Sequence, residues 1–346
     1  PNYLEDGRDF FRNATFGNEG FWTEAAQLPQ GFEETDFTLK DALASGLQVD
    51  AFVLDSQETS DLVAELATDL SPANAPLLND PLFFQELLTR NAFIGLIADD
   101  VDGDGFLDGD DEDTLGFSCA LCHTLADRTV FDGPGSGGPL TGSIGARVDG
   151  PGNLDLDYGL LLAVARNSRS VYPHLPLSLN AIGGNPIART NAFAPFTATE
   201  ADVDTLLLDL GAFPIGQVDL QPDGIGAPVM IPGVYQVRPV APYGVAGEFT
   251  RLVDAINFHA IVGLDPSVVL DVPGQVFLDA VAPGIGAQIT NETASIYADT
   301  GVLPPPGGFP FDDLALRKHR SGTNRDSGLG HPQFGITRLQ RKQNIT

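Results

Sequence analysis

Only two cysteines occur in this chain, and they stand three positions apart in Cys119-Ala120-Leu121-Cys122-His123. Thiols at this spacing project from one turn, and the next residue adds an imidazole beside them. Three chemistries use such a set: disulfide exchange, zinc binding, and attachment of haem c through two thioethers with the histidine on the iron. Zinc needs further thiol or imidazole ligands at short spacing, and none follows. An exchange pair usually sits after a strand of a βαβ unit, a pattern this region lacks. Motif and cysteine count together predict one covalent haem c, held by Cys119 and Cys122, with His123 as axial ligand.

The second axial position has few candidates: Met230, the chain's one methionine, and His174, His259, His319 and His331. Between Glu248 and His259, positions 249, 252, 253, 256 and 259 fall on one helical face, so His259 is expected to point inward with the apolar side chains. A histidine in that setting is often a hydrogen-bonded core residue, yet a haem iron here lacks any rich supply of methionine. Met230 lies in Pro228-Val-Met-Ile-Pro232, an extended loop suited to carrying an axial thioether. His259 is the preferred ligand and Met230 the alternative. Arg147 and Arg166 are candidates for pairing with haem propionates, because guanidinium matches carboxylate geometry.

A second site precedes the first. Asp100, Asp102, Asp104, Asp108 and Asp111 occupy positions 1, 3, 5, 9 and 12 of an EF-hand-type loop. Gly105 sits at position 6, the Phe106 carbonyl serves position 7, and aspartate replaces the usual glutamate at 12. Seven aspartates among residues 99–111 would repel one another without a cation. A structural Ca2+ is expected, fixing the approach to the haem turn.

The elements that must position these groups read as mainly α-helical with long loops. Helical periodicity recurs at Asp9–Arg12, Phe21–Ala26, Thr38–Leu43, Asp61–Leu66 and Asp80–Leu88, and Thr197–Asp204 opens a further helix with acids in its first turn. Residues 158–166 form a buried helix or strand. The expected organisation is an N-terminal helical segment (1–90), a haem-bearing domain with the calcium loop (91–265), and a Pro/Gly-rich extended arm with a basic tail (266–346).

Net charge is −29 over 346 residues. Residues 317–346 carry seven basic residues against one acid, a local +6, which leaves −35 on the rest. Nucleic acid and anionic membrane surfaces are therefore excluded as partners, and a redox partner or further copies of the chain, docking through the basic tail, are expected. No run of about 18 apolar residues suggests a membrane span. The start, Pro1-Asn2-Tyr3-Leu4-Glu5-Asp6, lacks a signal peptide's pattern, so the numbering is expected to begin after processing or without any export signal. With three lysines among 18 basic residues, the acidic surface fits a periplasmic or extracellular setting.

Gly116-Phe-Ser-Cys-Ala-Leu-Cys-His123 and Ile144-Gly-Ala-Arg-Val-Asp-Gly-Pro-Gly-Asn-Leu-Asp-Leu156 resemble segments of bacterial cytochrome c domain proteins. Val240-Ala-Pro-Tyr243, with Gly247 and the helix to His259, is similar to the Ala-Pro-Tyr segment of the dihaem cytochrome c peroxidases and their relatives. That likeness implies a cytochrome c-like helical fold and an axial ligand near position 259. This chain departs from those peroxidases in having no second Cys-x-x-Cys-His and in placing Val245-Ala246 where they carry His-Asp. The expectation is a monohaem electron carrier that assembles into an electron-conducting polymer. The alternative is a peroxidase- or oxidase-like enzyme with an open or Met-ligated iron.

Overall fold

The computed structural model describes residues 3–107, 113–179, 193–235, 241–243, 247, 249–270, 272–281 and 283–300. The described residues all belong to the first of the chain's two units, Pro1–Pro310, and gather into one compact body. The second unit and the Pro304–Gly308 break lie outside the described residues, so the arm and tail beyond residue 300 are not described. The first unit is mainly α.

Local chemistry explains many of the helix starts. Helices α3 (Leu39–Ala44), α4 (Ser56–Leu66) and α9 (Glu200–Leu207) each open on a reciprocal cap, Thr38 with Asp41, Asp55 with Glu58, and Thr199 with Asp202. Each pair satisfies donors that the first turn leaves orphaned. Asp80 caps α5 (Pro81–Thr89), where Pro81 has no N–H to lose. Residues 158–163 are helical (α8, Tyr158–Ala163), which settles the ambiguity of that apolar run. Phe21–Ala25 forms a wide π turn in place of an α-helix and buries Phe21 and Trp22 completely.

The core runs through the whole first unit, so contacts cross both expected boundaries. Before residue 91, Val49 pairs in parallel with Ile144. The Asn18 side chain donates to the carbonyl of Phe117 and accepts its N–H, both at 2.9 Å. Thr23 bonds both backbone groups of Leu115. Polar side chains of the N-terminal segment thus complete the open edge of strand β3 (Thr114–Phe117).

Beyond residue 265, the chain forms α11 (Val272–Val281) and α12 (Ile285–Thr300) where an arm is expected. Leu278, Ile285, Ile289, Ile296 and Tyr297 join the core. Tyr172 donates to Glu292 at 2.7 Å, and Tyr297 to the Ser170 carbonyl at 3.2 Å. The Pro and Gly content misleads because it marks helix starts: Pro273 lies in the first turn of α11, and Gly284, at φ +85°, turns the chain into α12.

Candidate functional site

Strand β3 links the two predicted sites. It pairs antiparallel with β2 (Leu96–Asp99), with Asp99 opposite Thr114 and Leu96 opposite Phe117. One end of the hairpin therefore brings Asp100 next to Asp113. At the other end Phe117 leads through Ser118 into Cys119. Five residues, four of them in the strand, lie between Asp113 and Cys119, six steps or at most about 20 Å of chain at about 3.4 Å per step.

The Cys119–His123 turn is fastened from several sides. Cys119 precedes the single turn α6 (Ala120–His123). Ser118 N–H donates to the Gly95 carbonyl at 2.9 Å and its hydroxyl to the Arg12 carbonyl at 2.7 Å. Gly95 has φ +87°, and a Cβ there would stand 2.0 Å from the Leu121 nitrogen, so only glycine lets the strand pass so close to the turn. The carbonyls that end the turn are bound by the Gly150–Asn153 loop. Gly150 N–H donates to His123 and Asn153 N–H to Cys122, both at 2.8 Å, and the Asn153 side chain reaches Leu121 at 3.4 Å. Arg12 grips Asp149 at 2.8 Å, clamping α1 (Tyr3–Asn13) onto this loop. These contacts give the Ile144–Leu156 stretch a physical purpose: it receives the unsatisfied end of the Cys119–His123 turn.

Both thiols are free and half-buried. Burial pushes Cys119 up to about 11 and Cys122 up to about 12. An exchange pair needs the opposite environment, one that lowers a thiol toward neutrality. Among the described residues, the one group of three or more carboxylate, thiol or imidazole ligands within metal-binding distance is Asp100, Asp102 and Asp113, apart from the two thiols. Beside Cys122, the buried Tyr158 hydroxyl has no hydrogen-bond partner, a polar atom sequence reading did not flag.

His123 Nδ1 lies 3.0 Å from the Pro232 carbonyl. A carbonyl only accepts, so Nδ1 carries the proton and Nε2 keeps its lone pair for a metal. Burial foremost lowers His123 to about 4, opposed by the Pro232 bond and assisted by the charge of His259. His259 is thus within electrostatic range of His123, although 136 positions separate them in the sequence. Its own Nδ1 lies 2.7 Å from the Ala255 carbonyl, which leaves its Nε2 bare as well. Two imidazoles, each with Nδ1 turned to a backbone carbonyl and Nε2 left to ligate, one of them on the Cys-x-x-Cys turn itself, are donors of the kind a haem iron takes.

The expected inward orientation of His259 is not what the fold shows. In α10 (Leu252–Phe258), Ala255 is the buried residue, while Val253, Ile256 and His259 are exposed. Helical spacing puts them on one side, but the body packs against another. Met230 is 65% exposed in strand β8 (Val229–Met230), two residues before the carbonyl that holds the back of the His123 ring. It therefore belongs to the same segment as the carbonyl that holds His123.

Arg147 is engaged elsewhere. Its Nε bonds Asp50 at 2.6 Å, both side chains being largely buried, and a terminal nitrogen bonds the Asn91 carbonyl at 3.2 Å. Arg166 pairs with Glu34 at 3.0 Å. These are the partners of the two arginines expected to pair with propionates, Arg147 reaching Asp50 from strand β6 (Arg147–Asp149).

At the acidic end, Gly103 and Gly105 both have positive φ and donate to opposite oxygens of Asp100 at 2.7 and 2.9 Å. Asp102 accepts from Asp104 N–H at 3.0 Å, and Asp104 from Phe106 N–H at 2.9 Å. Asp100, Asp102 and Asp113 each aim an oxygen into one space within 4.8 Å. Asp104 is not in this group, and Asp108 and Asp111 lie outside the described residues. Asp113, missed by counting twelve positions, is brought in by strand register. The readable signal is that it directly precedes the β-run Thr114–Phe117. Comparisons with protein-family models, with curated proteins and with solved structures return no match.

Proposed function

We propose that this protein is a monohaem c-type cytochrome that transfers electrons, with a cytochrome c-like arrangement of short helices and long loops around the haem. Cys119 and Cys122 would hold the haem by thioethers, and His123 and His259 would take the two axial positions. The carrying observation is the pair of imidazoles, each with Nδ1 committed to a backbone carbonyl and Nε2 free, in electrostatic range of one another. When bound, the haem supplies a one-electron couple, which imidazole ligation on both faces would hold at lower potential than a methionine ligand. The protein's share is to fix both rings, shelter the attachment turn and bring in the electron partner.

Ca2+ is proposed at Asp100, Asp102 and Asp113. The cation would neutralise three carboxylates that otherwise repel, and would lock the hairpin whose other end is the haem turn. Its role in this reading is structural.

The deciding experiment is a pyridine haemochrome assay followed by visible and near-infrared spectra of the oxidised and reduced protein. Haem c with a low-spin iron and no sulfur-to-iron charge-transfer band supports the reading. Absence of covalent haem overturns it, and the charge-transfer band would transfer the ligand role to Met230. The exposure of His259 favours one second reading, an enzyme in which an outside molecule takes the place of this ligand. High-spin iron in the resting protein would put that reading first.

A further inference from the structure

Helix α10 packs Ala255 and, in part, Phe258 against the body, yet leaves an apolar stripe outside. Its buried side chain is a small one, Ala255, while the branched apolar residues Val253 and Ile256 are 49% and 46% exposed. His259 follows Ile256 at the same three-residue step, so the three lie on one side of the helix. A solvated face is ordinarily polar, and an apolar one signals something that covers it.

The neighbourhood identifies the cover. The carbonyl of Leu264, just past the turn that follows His259, accepts from Trp22 Nε1 at 3.0 Å. Trp22 stacks on Phe117 with ring centroids 4.1 Å apart, and Phe117 stands two residues before Cys119. The segment that follows His259 is therefore tied, through Trp22 and Phe117, to the strand that leads into Cys119, and the stripe ends on the histidine whose charge acts on His123.

We propose that Val253 and Ile256 are positioning residues for the haem, covering it on the His259 side and keeping water from the iron and from the His259 bond. This rests on the cytochrome reading above. A partner protein could also cover an apolar stripe, but this one shares its face with a candidate iron ligand, which favours the cofactor.

The test uses the full-length holoprotein and begins with haem content. If the wild type carries no haem c, the electron-carrier reading fails and takes this inference with it. If it does, Ile256→Asp is compared with Ile256→Leu. The aspartate is expected to shift the couple toward the oxidised form at least tenfold, about 59 mV for one electron, and to speed cyanide replacement of His259 at least tenfold. Ile256→Leu should leave both close to wild type. Wild-type potential and cyanide rate in an Ile256→Asp protein of normal haem content would overturn the inference alone. Should that variant fail to fold, Ile256→Thr, close to valine in shape, is measured the same way and read by the same two outcomes.

Discussion

His123 and Pro232, 109 residues apart, share one hydrogen bond of 3.0 Å, and it decides which nitrogen of the imidazole is available. The bond fixes the proton on Nδ1, as the Ala255 carbonyl does for His259. Replacing His259 with alanine should therefore open one axial position without loosening the other. The expected spectrum is high-spin, with carbon monoxide binding to the reduced protein. Met230→Leu should leave the wild-type spectrum unchanged. A low-spin His259→Ala protein, or a spectral change in Met230→Leu, would show that the ligand assignment is wrong.

The acidic end of the hairpin predicts its own metal dependence. Asp100 and Asp113 meet because Asp99 pairs with Thr114, so Asp113→Asn should weaken Ca2+ binding by roughly 10-fold, about 1.4 kcal/mol, if one charged ligand is lost. Ca2+ at about 100 times its Kd should stabilise the fold by about 2.7 kcal/mol, and chelation should remove that gain. Calorimetric titration and urea unfolding with and without chelator measure both. Equal affinity in Asp113→Asn and wild type would exclude Asp113 from the site.

The cysteine-histidine turn was legible because its chemistry is local: two thiols and an imidazole on one turn need no tertiary information. The capped helices were legible for the same reason, since Thr38 and Asp41 meet across a single turn. Asp113 was not, because only the register of β2 against β3 brings it to Asp100. Orientation failed where one stripe had two readings. Val253, Ile256 and His259 share a side of α10, but periodicity alone cannot say whether that side meets the protein core. Residues 272–300 were misread because proline and glycine were counted as breakers when several of them mark helix starts.

Arg147 offers a test of stability without a change at the iron. Its guanidinium is largely buried against Asp50, so Arg147→Ala strands a buried carboxylate. Such broken pairs typically cost about 3–5 kcal/mol. Urea unfolding should show that loss, and the potential of the folded fraction should stay at its wild-type value. A shifted potential with unchanged stability would restore Arg147 to the haem.

The pH dependence of stability should have a contribution traceable to Ser168 and its carboxylate neighbours. Ser168 donates to Asp204 at 2.5 Å, and Arg169 N–H to Glu200 at 3.1 Å. Burial is the largest cause raising both carboxyls, and their mutual repulsion raises Glu200 further. With the folded values above the unfolded ones, the native state holds more protons between the two, so its stability falls as pH rises through that window. The window opens near the ordinary carboxylate value, about 4. Glu200→Gln with Asp204→Asn removes both titrations, while the asparagine oxygen still accepts from Ser168. Unfolding free energies from pH 4 upward should decline less in the double variant than in wild type. The difference should be the contribution of these two carboxyls, because the large negative charge of the remaining chain is common to both proteins. Parallel curves would show that the two groups titrate alike in the folded and unfolded states.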